Sequence, residues 1–219
     1  MAAVKYRYQT IEFGNHDIHY RCLRDKQQFS DDDGEAETLG ISSASWPLFG
    51  MVWQSGEVLA ELMTDYNVNS RRILEIGCGV GLASLVLNER FADISATDIH
   101  PSAGEYLEHN TQLNNGKHIP FFRTAWEDTL DSEMEKFDLI IGSDLLYERQ
   151  HSEALSLFIQ HFAKSKCEVI IVEAGRGYRA NFTKRMEELG FHFEQLRAIS
   201  PRTKPDAFKG RILQFCRNM

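Results

Sequence analysis

From Arg72 onward, short apolar runs alternate with amphipathic segments, and that alternation restricts the possible folds more than any other feature of the chain. Runs of this length interleaved with helical patterns are what a parallel sheet covered on both faces requires, because every parallel connection must cross a layer. The spacing predicts strands over Ile73–Ile76, Asp93–Thr97, Pro120–Arg123, Phe137–Gly142, Glu168–Glu173, Phe191–Ala198 and Arg211–Cys216. Helices are expected over Leu82–Arg90, Ala103–Asn114, Arg149–Ala163 and Arg179–Leu189, the last closed by Gly190 as a C-cap. The fold class is therefore α/β: seven strands in a mostly parallel sheet, with helices on both faces.

The segment before Arg72 reads differently. Apolar and aromatic residues at Tyr6, Tyr8, Ile11 and Phe13, then Gly14-Asn15, then Ile18, Tyr20 and Cys22, describe an N-terminal antiparallel β-ribbon appended to the main sheet. Residues 30 to 37, SDDDGEAE, carry five acids and only Ala36 as an apolar anchor, which predicts a solvated loop. Trp46-Pro47 stops regular structure, and from Trp53 the positions Val58, Leu59, Leu62, Met63 and Tyr66 recur at helical spacing. A length of 219 residues suits one domain, with the ribbon and acidic loop in 1–45 and the α/β core in 46–219.

Composition narrows the function classes. The chain is 42% hydrophobic and 26% charged, which excludes disordered, collagen-like and disulfide-scaffold proteins. A net charge of −8 disfavours a nucleic-acid substrate, whose phosphates would have to be held against the overall field. No apolar stretch reaches the ~18 to 20 residues that span a bilayer, and MAAVKYRYQT lacks the apolar core of a signal peptide, so a soluble cytoplasmic protein with no membrane partner is expected. Cys22, Cys78, Cys167 and Cys216 are widely spaced, with no zinc-type arrangement, and read as reduced thiols.

The strongest chemical signal is ILEIGCGVGLASL at residues 73 to 85, an apolar strand running into Gly77, Gly79 and Gly81 and then a helix. Such a loop brings backbone close to a ligand. A dinucleotide fingerprint needs its third glycine one place later, where Leu82 stands. Glu75, two residues before the first glycine, would repel a pyrophosphate and suits a ligand with a positive group. The next strand ends at Asp98, where a carboxylate can accept both hydroxyls of a ribose. Together these describe S-adenosylmethionine better than a nicotinamide dinucleotide. The string E-I-G-C-G-V-G-L followed by A-T-D resembles motifs I and II of class I, seven-strand methyltransferases, and implies their Rossmann-like core.

Two further stretches narrow the resemblance. FFRTAWED places Ala125 and Trp126 beside the expected adenine position, where an indole can stack on the base or its neighbours can bond the exocyclic amine. FDLIIGSDLLYE delivers Ser143, Asp144 and Tyr147 at the carboxyl edge of the sheet. Asp144-Leu-Leu-Tyr147 resembles the D-x-x-Y element of methyltransferase family 16, and MVWQSGEVLA at residues 51 to 60, with Trp53, resembles the tryptophan segment of that family. The resemblance implies that Trp53, Glu75, Gly77, Gly79, Asp98, Ala125, Trp126 and Ser143 line the cofactor and that Asp144 and Tyr147 face the acceptor. Ser143 departs from the alanine common at that place. Arg176, in the Gly175–Gly177 turn, would bind an acidic substrate group or a neighbouring carboxylate such as Asp144.

The expected activity is S-adenosylmethionine-dependent N-methylation by a monomeric enzyme, with a lysine or other side-chain nitrogen of a protein as acceptor. Asp144 would orient the amine and Tyr147 would offer it a ring face or hydroxyl. His100, His109 and His118 are candidate bases only through their place near the second strand and its helix. A small-molecule N-methyltransferase and a non-catalytic cofactor-binding module remain the alternatives. The ribbon, the acidic loop and the segment Arg202–Lys209 are where substrate choice is expected, and the acids favour a partner with a basic surface.

Overall fold

The computed structural model describes residues 4–25, 28, 34–42, 46–127, 134–148, 151–175, 177–196 and 208–218. In chain order it contains β1 (Tyr6–Phe13), β2 (His16–Leu23), α1 (Glu35–Thr38), α2 (Gln54–Asp65), β3 (Arg72–Ile76), α3 (Leu82–Glu89), β4 (Asp93–Asp98) and α4 (Ala103–Leu113). Then follow β5 (Phe121–Arg123), β6 (Phe137–Ser143), α5 (His151–Phe162), β7 (Ala163–Glu173), α6 (Arg179–Glu188), β8 (His192–Leu196) and β9 (Arg211–Arg217).

The last seven strands form one sheet in the order β5-β4-β3-β6-β7-β9-β8, and β9 alone runs antiparallel to its neighbours. Period-two alternation splits the core into two layers. Ile73, Leu139, Ile141, Ile170 and Val172 pack toward α2, α3 and α4, whereas Leu74, Ile76, Ile140, Val169 and Ile171 pack toward α5 and α6. Both faces of the central strands are thus apolar, which is why they read as continuous hydrophobic runs. The sheet reverses direction of growth at β3, flanked by β4 and β6, and the crevice beyond the carboxyl ends of those strands is where open α/β sheets bind ligands.

β1 and β2 pair in register from Tyr6↔Leu23 to Phe13↔His16, around a two-residue turn whose first residue, Gly14, has φ 63°. A two-residue hairpin of this kind wants glycine there. The ribbon does not extend the main sheet; it lies over α3 and α4. Asn110 on α4, fully buried, accepts from the Arg21 N–H (2.7 Å) and donates to the Val80 carbonyl (2.9 Å), so one side chain ties the ribbon to the glycine loop. Arg21 is buried between the rings of Tyr6 (4.4 Å) and Tyr106 (4.7 Å) and pairs with Glu105 (3.0 Å). No described helix is long and apolar enough to cross a membrane.

The acidic segment corrects one expectation. Residues 30 to 33 lie outside the described residues, but 35–38 form the helical turn α1 rather than a solvated loop. Ala36 is its anchor, buried with Ile41 and Trp46 in a small third cluster. Trp46-Pro47-Leu48 likewise makes a single 3-10 turn. β7 begins at Ala163, five residues earlier than its apolar run, because Ala163 pairs with Phe137 before the ladder shifts register. Of the Arg202–Lys209 segment, residues 202 to 207 lie outside the described residues.

Candidate functional site

A cavity of about 730 Å³ opens at the carboxyl ends of β3, β4 and β6, within the size range of small-molecule sites. Its floor is the glycine loop. Gly77, Gly79 and Gly81 all hold positive φ (62°, 55° and 81°), the left-handed region that glycine enters without cost. They differ in what a side chain would meet. A Cβ on Gly77 would fall 2.6 Å from Leu145 and one on Gly81 2.4 Å from Leu107, whereas the space before Gly79 is open. Gly77 and Gly81 therefore serve packing, and Gly79 leaves room for a ligand to approach backbone.

Asp98 joins this loop to the end of β4. One carboxylate oxygen accepts from the Gly79 N–H (2.8 Å) and the other from the His100 N–H (2.8 Å). A carboxylate has about four lone-pair directions, and Asp98 lines the cavity, so it retains acceptor capacity beyond its backbone donors. Burial raises its pKa, and backbone hydrogen bonds from His100, Gly79 and Ile99 oppose that rise.

Glu75 is placed differently from the other sequence candidates. It does not line the cavity; it is 3% exposed beneath the loop and accepts from both the N–H (2.8 Å) and the hydroxyl of Ser84 in the first turns of α3. A helix N-terminus is where a dinucleotide fold seats pyrophosphate. Here the protein's own carboxylate fills it, which disfavours a phosphate ligand for a reason other than direct repulsion across the cavity. Burial pushes the Glu75 pKa up to about 7, against the lowering effect of the Ser84 hydrogen bonds.

The opposite wall comes from β6 and the residues after it. β6 ends in Gly142 and Ser143, and Asp144 then turns with φ 54°, a conformation strained for most residues but several-fold enriched in Asp and Asn. Its N–H stays in the ladder, donating to the Val172 carbonyl (2.8 Å). The turn sends Leu145 inward: a Cβ on Gly142 would lie 2.5 Å from it, as one on Gly77 would from the other side. Leu145 is thus clasped between the glycine loop and β6, while Asp144 and Tyr147 are left on the cavity wall.

The remaining walls place Trp53, whose indole N–H donates to the Leu48 carbonyl (3.3 Å), together with Ala125, Trp126 and Ser143 around the same space. Of the residues assigned to cofactor or acceptor from sequence, Glu75 alone among those described stays out of the cavity lining, and Arg176 lies outside the described residues. Among the three histidines considered from sequence, His100 lines the cavity, stacked on Phe49 (3.8 Å between centroids); burial lowers its pKa to about 4 and keeps it neutral. His109 packs against Tyr8, and His118 pairs with Glu108 on the surface.

Sequence reasoning passed over two features. His151, in the first turn of α5, lines the cavity with its ring perpendicular to Trp126 (5.1 Å) and Tyr147 (4.4 Å). Its only sequence signal is its position four residues beyond the D-x-x-Y tyrosine. The second feature is charge: Glu37, Asp98, Glu127, Asp144 and Glu148 all line the cavity, and no lysine or arginine appears among the described lining residues. Such a wall is complementary to a cation.

Comparison with known proteins agrees with this geometry. A family model described as lysine methyltransferase matches residues 42–189, the span that holds α2, the glycine loop, Asp98 and the D-x-x-Y wall. Protein-lysine methyltransferase METTL21E of Bos taurus is 30% identical over 171 residues, covering 72% of this chain and 58% of that protein. The electron transfer flavoprotein beta subunit lysine methyltransferase of Xenopus laevis is 29% identical over 134 residues, 59% of this chain and 53% of that protein. The chain thus spans little more than half the length of these relatives. Among solved structures, magnesium protoporphyrin IX methyltransferase from Synechocystis PCC 6803 with bound SAM shares the fold at a TM-score of 0.58 and 23% identity, over 74% of this chain and 76% of that one. With the strand order, the glycine loop and the matched span all in accord, the chain belongs to methyltransferase family 16, the lysine methyltransferase family.

Proposed function

We propose that the protein is an S-adenosylmethionine-dependent N-methyltransferase whose acceptor is the side-chain amine of a lysine in a protein. The observation that carries this reading is the cavity's all-acidic charge complement beside the D-x-x-Y wall. The fit of the cofactor rests on three features: open space before Gly79, the remaining acceptor capacity of Asp98, and a helix N-terminus closed to phosphate by Glu75. Asp98 would hold the ribose, Ala125 and Trp126 the adenine, and Trp53, Gly77, Gly79 and Ser143 the rest of the molecule. Glu75 would act from beneath, by fixing α3 against the loop.

When bound, the cofactor supplies an activated methyl group on a sulfonium, so the protein's own task is positioning and desolvation. The carboxylates gather a lysine ammonium from water. Asp144, fixed by its strained turn and its ladder hydrogen bond, orients the nitrogen toward the cofactor side of the cavity, and Tyr147 borders it. The basic surface expected of the partner follows from the same charge. Four free thiols, three of them buried, suit a reducing cytoplasm, and the chain is read as a monomeric single domain with its ribbon tied to the core through Asn110.

The test is incubation of the purified protein with methyl-tritiated S-adenosylmethionine and a lysate of its source cells. Label in a discrete band that survives nuclease and is lost to protease supports the reading, and acid hydrolysis should return methylated lysine. Label confined to small molecules would replace it with metabolite N-methylation. Cofactor binding without transfer to either fraction would favour a binding module.

A further inference from the structure

A lysine at neutral pH carries a proton that must leave before its nitrogen can attack, since its free pKa is ~10.4. Asp144 does not solve this, because a carboxylate beside an ammonium stabilises the charged form. The cavity holds two imidazoles, and their hydrogen bonds set opposite tautomers. His100 Nδ1 accepts from the Ser102 N–H (3.2 Å), so in the neutral ring the hydrogen sits on Nε2. His151 Nδ1 lies 3.0 Å from the Leu145 carbonyl oxygen, which has no hydrogen to give; Nδ1 must donate, and Nε2 carries the lone pair.

Nε2 of His151 is 3.8 Å from a Glu148 carboxylate oxygen, a distance that favours the ring once it is charged, and the other Glu148 oxygen accepts from the Ser42 hydroxyl (3.2 Å). Trp126 and Tyr147 hold the ring perpendicular to their own planes. The charged groups that share the cavity are Glu148 and Asp144 on the same loop, Glu127 beside Trp126, Asp98 at the end of β4 and Glu37 on α1. All are acids, and Glu148 is the one placed against Nε2 of His151.

We propose that His151 is the proton acceptor for the acceptor amine, with the Leu145 carbonyl fixing its tautomer and Glu148 stabilising the imidazolium; this rests on the lysine N-methylation reading of the cavity. The ammonium gives one proton to Nε2. The freed nitrogen lone pair forms the N–C bond as the methyl–sulfur bond breaks with its electron pair leaving on sulfur, and the imidazolium returns its proton to water. No oxidant or further co-reactant is needed.

The experiment has a part that needs no turnover. Nitrogen-15 NMR of the cofactor-free protein above pH 8 should show His151 protonated on Nδ1 only; a ring protonated on Nε2 overturns the proposal. His151→Asn keeps a donor for the Leu145 carbonyl but removes the base. It should bind S-adenosylmethionine by calorimetry as the parent does, yet label the lysate acceptor band about 100-fold more slowly or worse at pH 7.5. That gap should close toward pH 10, where the amine loses its proton unaided. Transfer within threefold of the parent, or a gap of equal size at both pH values, overturns it. Should His151→Asn lose cofactor binding, Glu148→Gln decides: the acid limb of the pH–rate profile should move to lower pH, and an unmoved limb refutes the assignment. A parent enzyme that labels no protein brings down the methylation reading and this inference together, whereas an active parent with an equally active His151→Asn removes the inference alone.

Discussion

Replacing Glu75 with glutamine should stabilise the protein, and by an amount that depends on pH. Glutamine has nearly the same shape, and its carbonyl oxygen can accept both Ser84 hydrogen bonds, so the substitution removes the charge and little else. In the folded chain burial lifts the Glu75 pKa from 4.5 to about 7. Between those values the folded state retains a proton that the unfolded state has released, so stability falls as pH rises. The stabilisation associated with protonated Glu75 is complete below pH 4.5 and is lost as pH passes about 7. At about 1.4 kcal/mol per pH unit, the accumulated cost of the ionised form is ~3 kcal/mol. Glu75→Gln escapes that cost. Urea unfolding at pH 5 and pH 8.5 should show little difference between parent and variant at the lower pH and a gain of ~2 to 3 kcal/mol for the variant at the higher. A variant that is less stable at pH 8.5, or whose advantage is equal at both pH values, would refute the account of Glu75 as a desolvated acid serving α3. S-adenosylmethionine affinity should change by no more than about threefold, because the side chain lies outside the cavity lining.

Other expectations follow from the same geometry. Asp98→Ala removes the acceptor that welds Gly79 and His100 together, and calorimetry should find S-adenosylmethionine bound about 100-fold more weakly, a loss of ~2.7 kcal/mol; affinity within threefold of the parent would remove Asp98 from the site. Asp144→Asn should keep cofactor affinity while transfer into the acceptor band drops about 100-fold, and full transfer would show that orientation of the amine comes from elsewhere. Gly77→Ala should destabilise by ~1 to 3 kcal/mol through its clash with Leu145 and its positive φ. Because the clash is with Leu145, a double-mutant cycle of Gly77→Ala with Leu145→Ala should show coupling of at least ~1 kcal/mol, and strict additivity would mean that the two do not touch.

The sheet was legible because its buried central strands leave nearly continuous apolar runs, and all seven strands expected between Ile73 and Cys216 are present in it. Their ends were legible to within a residue or two wherever an apolar run marked them. β7 was the exception, since Lys164 and Lys166 pattern as surface although their backbone is already in strand. α1 was hidden for the opposite reason: a four-residue turn has too little periodicity to register, and its anchor is a single alanine whose partners, Ile41 and Trp46, follow later in the chain. Residue identity marked the cavity well where spacing is local, as in Gly77, Gly79 and the D-x-x-Y element. It failed for His151, whose ring is defined by Trp126 on another element and by a backbone carbonyl that no residue type reveals. The side on which Glu75 acts was equally invisible, because it depends on Ser84 standing in the first turns of α3.

Leu145 carries a consequence for how such a fold can diversify. Its side chain occupies the space of two missing β-carbons, one on Gly77 in the glycine loop and one on Gly142 at the end of β6. A side chain on either glycine must displace the leucine's terminal methyls, and on Gly142 it also comes within 3.1 Å of the Ile76 carbonyl oxygen. Three positions in two distant motifs are therefore coupled in what they can accept. Glu37, Ser42, Glu127 and Glu148 line the same cavity outside this clasp, so exchanges there leave the packing of Leu145 between the two glycines untouched.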